Sequence, residues 1–342
     1  MKRGLGTTLA ALIGLIAAAS IPRTIAEESR LVSDWTRQFV VPGEPVVGGA
    51  DWVYVRSGDR FAYVAASDGA AGYAATRAAV HTADNLTFIN QPASAERWAL
   101  QSADGALLGT VARNGLPLIR SGRLTQYDER GATLVVDTIP PGRASTTILL
   151  DERAVLVELV EQVALVAYLS GELRAYRLGD GGAAIASLRP AGPVPYALQA
   201  LSQQQVAVVS GYPEAYLSLV TLRDDTLSLD WRVELAVTLD EPLQLIASGD
   251  RPVVALPDAL FVSDGQTHER IAVPGLRQVS AIAEGRHTVW EGRDGVLLGI
   301  AGDNDATGFD VAFAAAQIAG STPERVVLWA GGRLISVQWV DV

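Results

Sequence analysis

Apolar positions along this chain recur in short runs, not on a helical stripe. Past residue 45, stretches rich in Val, Leu, Ile and Tyr alternate with Gly, Asp, Ser and Pro, and no segment sustains a helical period. Runs of this kind predict strands joined by tight turns. Seven hairpins stand out: "WVYVRSGDRFAYVAA", "LPLIRSGRLTQYD", "ALVAYLSGELRAYRL", "VAVVSGYPEAYLSLV", "PVVALPDALFVSD", "TVWEGRDGVLLGIA" and "RVVLWAGGRLISVQWV". Their turns fall near Gly58, Gly122, Gly171, Gly211, Asp258, Gly295 and Gly332.

The last five turns are spaced by 40, 47, 37 and 37 residues, close to the roughly 40 to 50 residues of one four-stranded propeller blade. The 64 residues between Gly58 and Gly122 are too many for one unit. "NLTFINQ", "RWALQS" and "ALLGTVA" supply three strands of a less regular unit there, with a turn around Ser94. A single hairpin cannot bury both faces, whereas several arranged radially pack sheet on sheet and leave only short edges. The expected architecture is therefore all-β: a propeller of four-stranded antiparallel blades, eight by this count and seven if the 58–122 segment is an insertion.

A ring needs closure. The chain ends in "AGGRLISVQWVDV", a strand without a following neighbour. "DWTRQFVVPG" offers one: Trp35, Arg37, Phe39 and Val41 alternate with Thr36, Gln38 and Val40, and Pro42 with Gly43 ends the run. Pairing this early strand with the blade made by Val326–Trp329 and Leu334–Val340 hides an apolar edge that otherwise invites aggregation. The competing expectation is that residues 31–43 form a tether.

Composition narrows the setting. Lys2 and Arg3 precede an Ala-rich apolar run that ends near Pro22 and Thr24-Ile25-Ala26, the layout of a secretory signal over residues 1–26. Residues 4–22 also approach the ~20 needed to cross a bilayer, so an uncleaved anchor is the alternative. Residues 27–342 then form one propeller domain, periplasmic or secreted. The later run "RAVLVELVEQVALVAYL" is interrupted by Glu158, Glu161 and Gln162. There is no cysteine, which excludes disulfides, thiolate sites and a lipobox. Lys2 is the only lysine, excluding a Schiff base or a Walker-type phosphate lysine. The net charge of −11 becomes −14 once Lys2, Arg3 and Arg23 are removed, a surface that repels nucleic acid and anionic headgroups.

The repeats "WVYVRSGDRFAYVAASDGAAG", "GELRAYRLGDGG" and "GVLLGIAGDNDATG" resemble the pyrroloquinoline-quinone-type propeller repeats of bacterial exported proteins. That resemblance spans most of residues 46–342. WD-type repeats fit less well, because "DWVYV" and "DWRVEL" reverse the Trp-Asp order. Quinone-dependent dehydrogenases of that architecture carry calcium ligands, a catalytic Asp and commonly a vicinal disulfide; with no cysteine here, no catalytic residue is carried over. The remaining relatives are non-catalytic envelope scaffolds.

Candidate chemistry is sparse. In "GDNDATGFD", Asp303, Asp305 and Thr307 precede Gly308 at calcium-loop spacing, but position 314, which needs Glu, is Ala314; the stretch reads as a solvated turn. His81, His268 and His287 are scattered over separate units, giving neither a metal site nor a local triad. No nucleophile elbow occurs. Asn85 heads an "NLT" that reads as strand. Trp290 and Trp329, 39 residues apart, are expected at equivalent positions between sheets.

Two proline- and tyrosine-bearing loops are the candidate partner contacts: Pro193, Pro195 and Tyr196, then Tyr212 and Tyr216. No cofactor, metal or catalytic residue is assigned. The sequence thus points to a monomeric exported propeller that binds an envelope protein and no nucleic acid. The alternatives are an enzyme acting on a sugar or alcohol at the central channel, or a carbohydrate-binding module.

Overall fold

In the computed structural model, the described residues are strands between 29 and 341 and most connections between 145 and 282; residues 1–28, 300–309 and many other loops lie outside them. The described strands form eight four-stranded antiparallel sheets. We number them I (44–75), II (80–112), III (118–149), IV (154–188), V (195–234), VI (244–272), VII (278–313) and VIII (317–341 with 29–38). In sheets I to VII the strands lie side by side in chain order. Sheet VIII has the order Gln317–Ser321, Arg325–Ala330, Arg333–Asp341, Ser29–Gln38, so its last strand comes from the other end of the chain.

Alternating side chains bury both faces of sheets IV, V and VI. In Val163–Tyr168, the second strand of IV, Ala164, Val166 and Tyr168 pack with Leu134 and Ile148 of III. Val163, Leu165 and Ala167 pack instead with Val206, Val208 and Val220 of V. The same two-sided packing joins V to VI through Val209, Leu217, Val254 and Phe261, and VI to VII through Val253, Leu260, Val279 and Trp290. Val53, Val55 and Val64 of I meet Ala319, Val327 and Leu334 of VIII. Apolar burial of this extent stabilises by about 25 cal/mol per Å², and a strand buried on both faces needs no polar side.

First strands of successive sheets are neighbours, linked by polar side chains. The Gln244 amide donates to the Val279 carbonyl at 2.6 Å and accepts from the Val279 N–H at 2.9 Å, extending strand-like pairing from VI to VII. Glu291 Oε2 accepts from the Ile318 N–H at 3.0 Å, joining VII to VIII.

The closing strand differs in extent from the sequence expectation. It begins at Ser29, six residues ahead of Trp35, and over Ser29–Gln38 pairs with Arg333–Asp341 from Ser29↔Asp341 to Gln38↔Arg333. An irregularity between Ser33 and Trp35 shifts its register. The early start reflects pairing length: the partner strand spans nine residues and holds the residues preceding the Trp35 alternation. Residues 39–43 lie outside the described residues.

The hairpins are real but not all equivalent. Six of the seven turns join the second and third strands of a sheet; Gly122 joins the first and second of III, Leu118–Arg120 and Arg123–Asp128. That offset accounts for the irregular early spacing. Residues 80–112 form their own sheet, in which Leu86–Gln91, Ser94–Ser102 and Leu107–Ala112 contain the three expected strands. Within "RAVLVELVEQVALVAYL", Glu161 and Gln162 form the turn between the strands Ala154–Val160 and Val163–Tyr168. Glu158 is buried. Trp290 and Trp329 do pack between sheets, but on opposite faces: Trp290 faces VI, whereas Trp329 faces I. Trp290 is the fourth residue of the strand His287–Gly292 and Trp329 the fifth of Arg325–Ala330, so on these two second strands they have opposite phase.

Candidate functional site: one face of the ring

Connections between sheets and the turns between second and third strands lie on one face, termed the upper face. Backbone contacts establish this. The Val194 N–H, in the connection from IV to V, donates to the Leu169 carbonyl in the turn of IV at 3.0 Å, and the Gly211 N–H in the turn of V donates to the Pro193 carbonyl at 2.9 Å. The other turns share the lower face: Arg123 Nη1 donates to the Glu161 carbonyl at 3.0 Å, and Arg177 pairs with Asp225. Ser29 and Asp341, paired at the far end of a strand that leaves the upper turn at Gly332, are at the lower face.

These upper turns are backbone-on-backbone packed. A Cβ on Gly171 would stand 2.1 Å from the Gly192 carbonyl oxygen, and one on Gly192 would be 3.2 Å from Gly211 Cα. Gly171 also has φ +81°, a region open to glycine at little cost. Three consecutive loops are thereby held at fixed distance, and the side chains between them are presented to solvent. Leu169 is 63% exposed and Tyr212 is 60% exposed; Pro193 is exposed as well.

The sequence-designated loop residues therefore separate. Pro193 and Tyr212 come together at the surface. Tyr216 is half-buried; its hydroxyl donates to Glu214 Oε2 at 3.2 Å, and Arg232 lies over its ring at 5.1 Å. The bond to Glu214 raises the Tyr216 pKa. Pro195 and Tyr196 are not on that surface: both are buried. Tyr196 lies in the core between V and VI, where its hydroxyl donates to the Leu239 carbonyl at 2.7 Å. Membership of the strand Pro195–Ala200 turns these two inward. Leu169 was missed by sequence reading; its place directly before the Ser170-Gly171 turn was the available signal.

Beside Leu169 lies a charged cluster. Arg174 donates to Asp151 at 3.0 Å, Glu152 at 3.1 Å and Glu172 at 2.9 Å, and its guanidinium lies 4.7 Å from the Tyr168 ring centroid. Its hydrogen bond holds the Glu172 carboxyl below the usual range, and the same bond raises the Arg174 pKa. Beneath it the Tyr168 and Tyr176 hydroxyls share a 2.6 Å hydrogen bond. Burial first, then that bond, push the Tyr168 phenol up. The cluster ties the connection entering IV to the turn within IV; its guanidinium is shared by three carboxylates, an arrangement that positions loops.

Among the described residues no group of three or more His, Asp or Glu side chains is placed to hold a metal ion. His81, His268 and His287 fall on different sheets, and His268 stacks on Phe261 at 5.7 Å. Asn85, Asp303, Asp305 and Thr307 lie outside the described residues.

No family model matches the chain, and no curated protein matches it. Solved structures do. The Dos1 propeller is similar with a TM-score of 0.60 at 11% identity, over 90% of this chain and 95% of that one. The C-terminal WD40 domain of Sif2 is similar at 0.57 and 9% identity, over 89% and 98%, and BamB from Moraxella catarrhalis at 0.53 and 14%, over 90% and 98%. At such identities the likeness is one of fold, and together with the sheet order it makes this chain a β-propeller.

Proposed function

We propose that the protein is a non-catalytic protein-binding scaffold of the bacterial cell envelope, presenting the upper face of its propeller to a partner. The observation that carries this reading is the pair Leu169 and Tyr212, two large apolar side chains about 60% exposed on loops fixed by backbone contact. Exposed apolar groups on rigid supports are what a binding surface needs, because little conformational freedom is left to lose on association. The likeness to envelope and WD40 propellers supports the same reading, as do the signal-like residues 1–26. The domain acts as a monomer, in the periplasm or outside the cell.

Site-specific photo-crosslinking in cells tests this. A photoreactive residue replacing Tyr212 is expected to give a discrete adduct with another envelope protein, and one replacing Asp225 on the lower face none. Absence of any adduct from Tyr212, Leu169 and Pro193 positions alike removes the scaffold reading, and fractionation to the cytoplasm removes the envelope part.

A further inference from the structure

Val155, Leu169, Pro193 and Tyr212 make a continuous arc across sheets IV and V. Val155 is the extra residue of a bulge between Ala154 and Leu156, where the first strand of IV pairs with the second, and Ala154 is opposite Tyr168. It is 43% exposed at the end of the strand that adjoins Leu169. From Leu169 the arc steps through the Val194–Leu169 hydrogen bond to Pro193, and through the Gly211–Pro193 bond to Tyr212. Its members span about 57 residues of sequence, yet the last two steps are tied by main-chain hydrogen bonds and the first by the pairing of Ala154 with Tyr168.

Acceptors flank the arc at both ends. Asp151 is 83% exposed by side chain and Glu152 49%, beside Val155 in sequence; Glu214 is exposed beside Tyr212. Five carboxylates (Asp151, Glu152, Glu172, Glu214, Glu234) lie about the arc with four guanidiniums (Arg153, Arg174, Arg189, Arg232), and Arg174, which three of those carboxylates share, is only 15% exposed. A docking chain therefore meets more accessible negative than positive charge, on a protein whose net charge is −11.

Resting on the scaffold reading, we infer that this arc is the docking site for an extended segment of a partner protein with an apolar anchor flanked by Lys or Arg. The anchor lies against Leu169, Pro193 and Tyr212, and the basic side chains reach Asp151, Glu152 and Glu214. Apolar contact supplies affinity, while charge complementarity supplies selection and approach rate. An acidic segment of the same shape is disfavoured by like charge.

Three synthetic twelve-residue peptides, sharing Leu and Tyr anchors and flanked by Arg, Ser or Glu, test the inference by fluorescence anisotropy with the full chain. The Arg peptide is expected to bind at least tenfold tighter than the Glu peptide, and L169S/Y212S to weaken it tenfold or more. In D151N/E152Q the preference for Arg should shrink several-fold. Both substituted apolar groups are exposed, and a thermal melt of each variant verifies folding. Equal binding of the three peptides, unchanged binding by L169S/Y212S, or no binding of the Arg peptide at millimolar concentration overturns it. So does a homodimer in light scattering that L169S/Y212S dissolves, since the arc then contacts a second copy. If the crosslinked partner of Tyr212 proves to offer an acidic segment, the inference fails while the scaffold reading stands.

Discussion

Glu291 and Ile318 are joined across two sheets by one hydrogen bond: the buried carboxylate on the second strand of VII accepts the N–H of the first strand of VIII at 3.0 Å. The other carboxylate oxygen is 3.4 Å from Arg277 Nη1. The pair fixes the innermost strand of the closing sheet against its neighbour. Glu291→Ala leaves the Ile318 N–H buried without an acceptor and should cost ~1–3 kcal/mol in denaturant unfolding. Glu291→Gln keeps an acceptor oxygen and should cost less. Equal losses for the two variants refute this role.

The strand Ser29–Gln38 is the latch of the ring. It covers Arg333–Asp341 through nine residue pairs. Deleting residues 29–38 should uncover a long β edge, lower and broaden the thermal transition, and produce oligomers in size-exclusion chromatography. A monomer melting as cooperatively and as late as the full chain contradicts it.

Gly171 and Gly179 both have positive φ, +81° and +102°, yet only Gly171 is crowded. A Cβ there meets the Gly192 carbonyl oxygen at 2.1 Å, while one on Gly179 meets nothing within 4 Å. Both alanine variants carry backbone strain, on the order of 1 kcal/mol. Gly171→Ala must also displace the neighbouring main chain, so its melting temperature should fall further, with Tyr212 surface chemistry disturbed as well. Equal melting temperatures for the two variants count against the backbone packing of the upper turns.

Tyr196 and Tyr212 should part in their effects. Tyr196→Phe removes the buried bond to the Leu239 carbonyl and should lose ~1 kcal/mol of stability, with partner crosslinking retained. Tyr212→Ala should change stability by less than ~0.5 kcal/mol and reduce crosslinking. The reverse pattern contradicts the assignment of one to core and the other to surface.

Asp264 provides a pH signature. The Thr267 and Gln266 N–H groups, then the Thr267 hydroxyl, bond its carboxylate and lower its pKa from 3.8 to about 2. The folded value lies below the unfolded one, so this turn's contribution is complete above about pH 4 and fades as pH falls through about 2. Carboxyl NMR should find a midpoint near 2 for Asp264, rising only partway in Thr267→Ala, which removes the hydroxyl bond and keeps both N–H donors. A midpoint near 4 in the unsubstituted protein argues against the turn geometry.

Repeat length, strand identity and closure by distant ends were legible in the sequence because period-two patterning and turn residues are local signals, and because an apolar terminal strand demands a partner. The exact reach of the closing strand was not: Ser29 to Val32 show no distinctive alternation, and only the length of Arg333–Asp341 recruits them. Nor was the offset of the Gly122 hairpin, since a turn looks alike whichever two strands it joins.

Candidate contacts divide in the same way. Sequence marked Pro193, Pro195, Tyr196, Tyr212 and Tyr216 by type, and type alone cannot say which way a side chain turns. Membership of a strand covered on both faces buries Pro195 and Tyr196, and the stacking of Gly171, Gly192 and Gly211 brings Leu169 beside Pro193 and Tyr212. What the sequence by itself determined was a ring of β units, set by local pattern, and an acid-rich composition with net charge −11. Tertiary structure alone decided which apolar groups face water, because radial packing buries the faces of the sheets and leaves their loop ends and their fourth strands, where Leu149 is 70% exposed, to solvent.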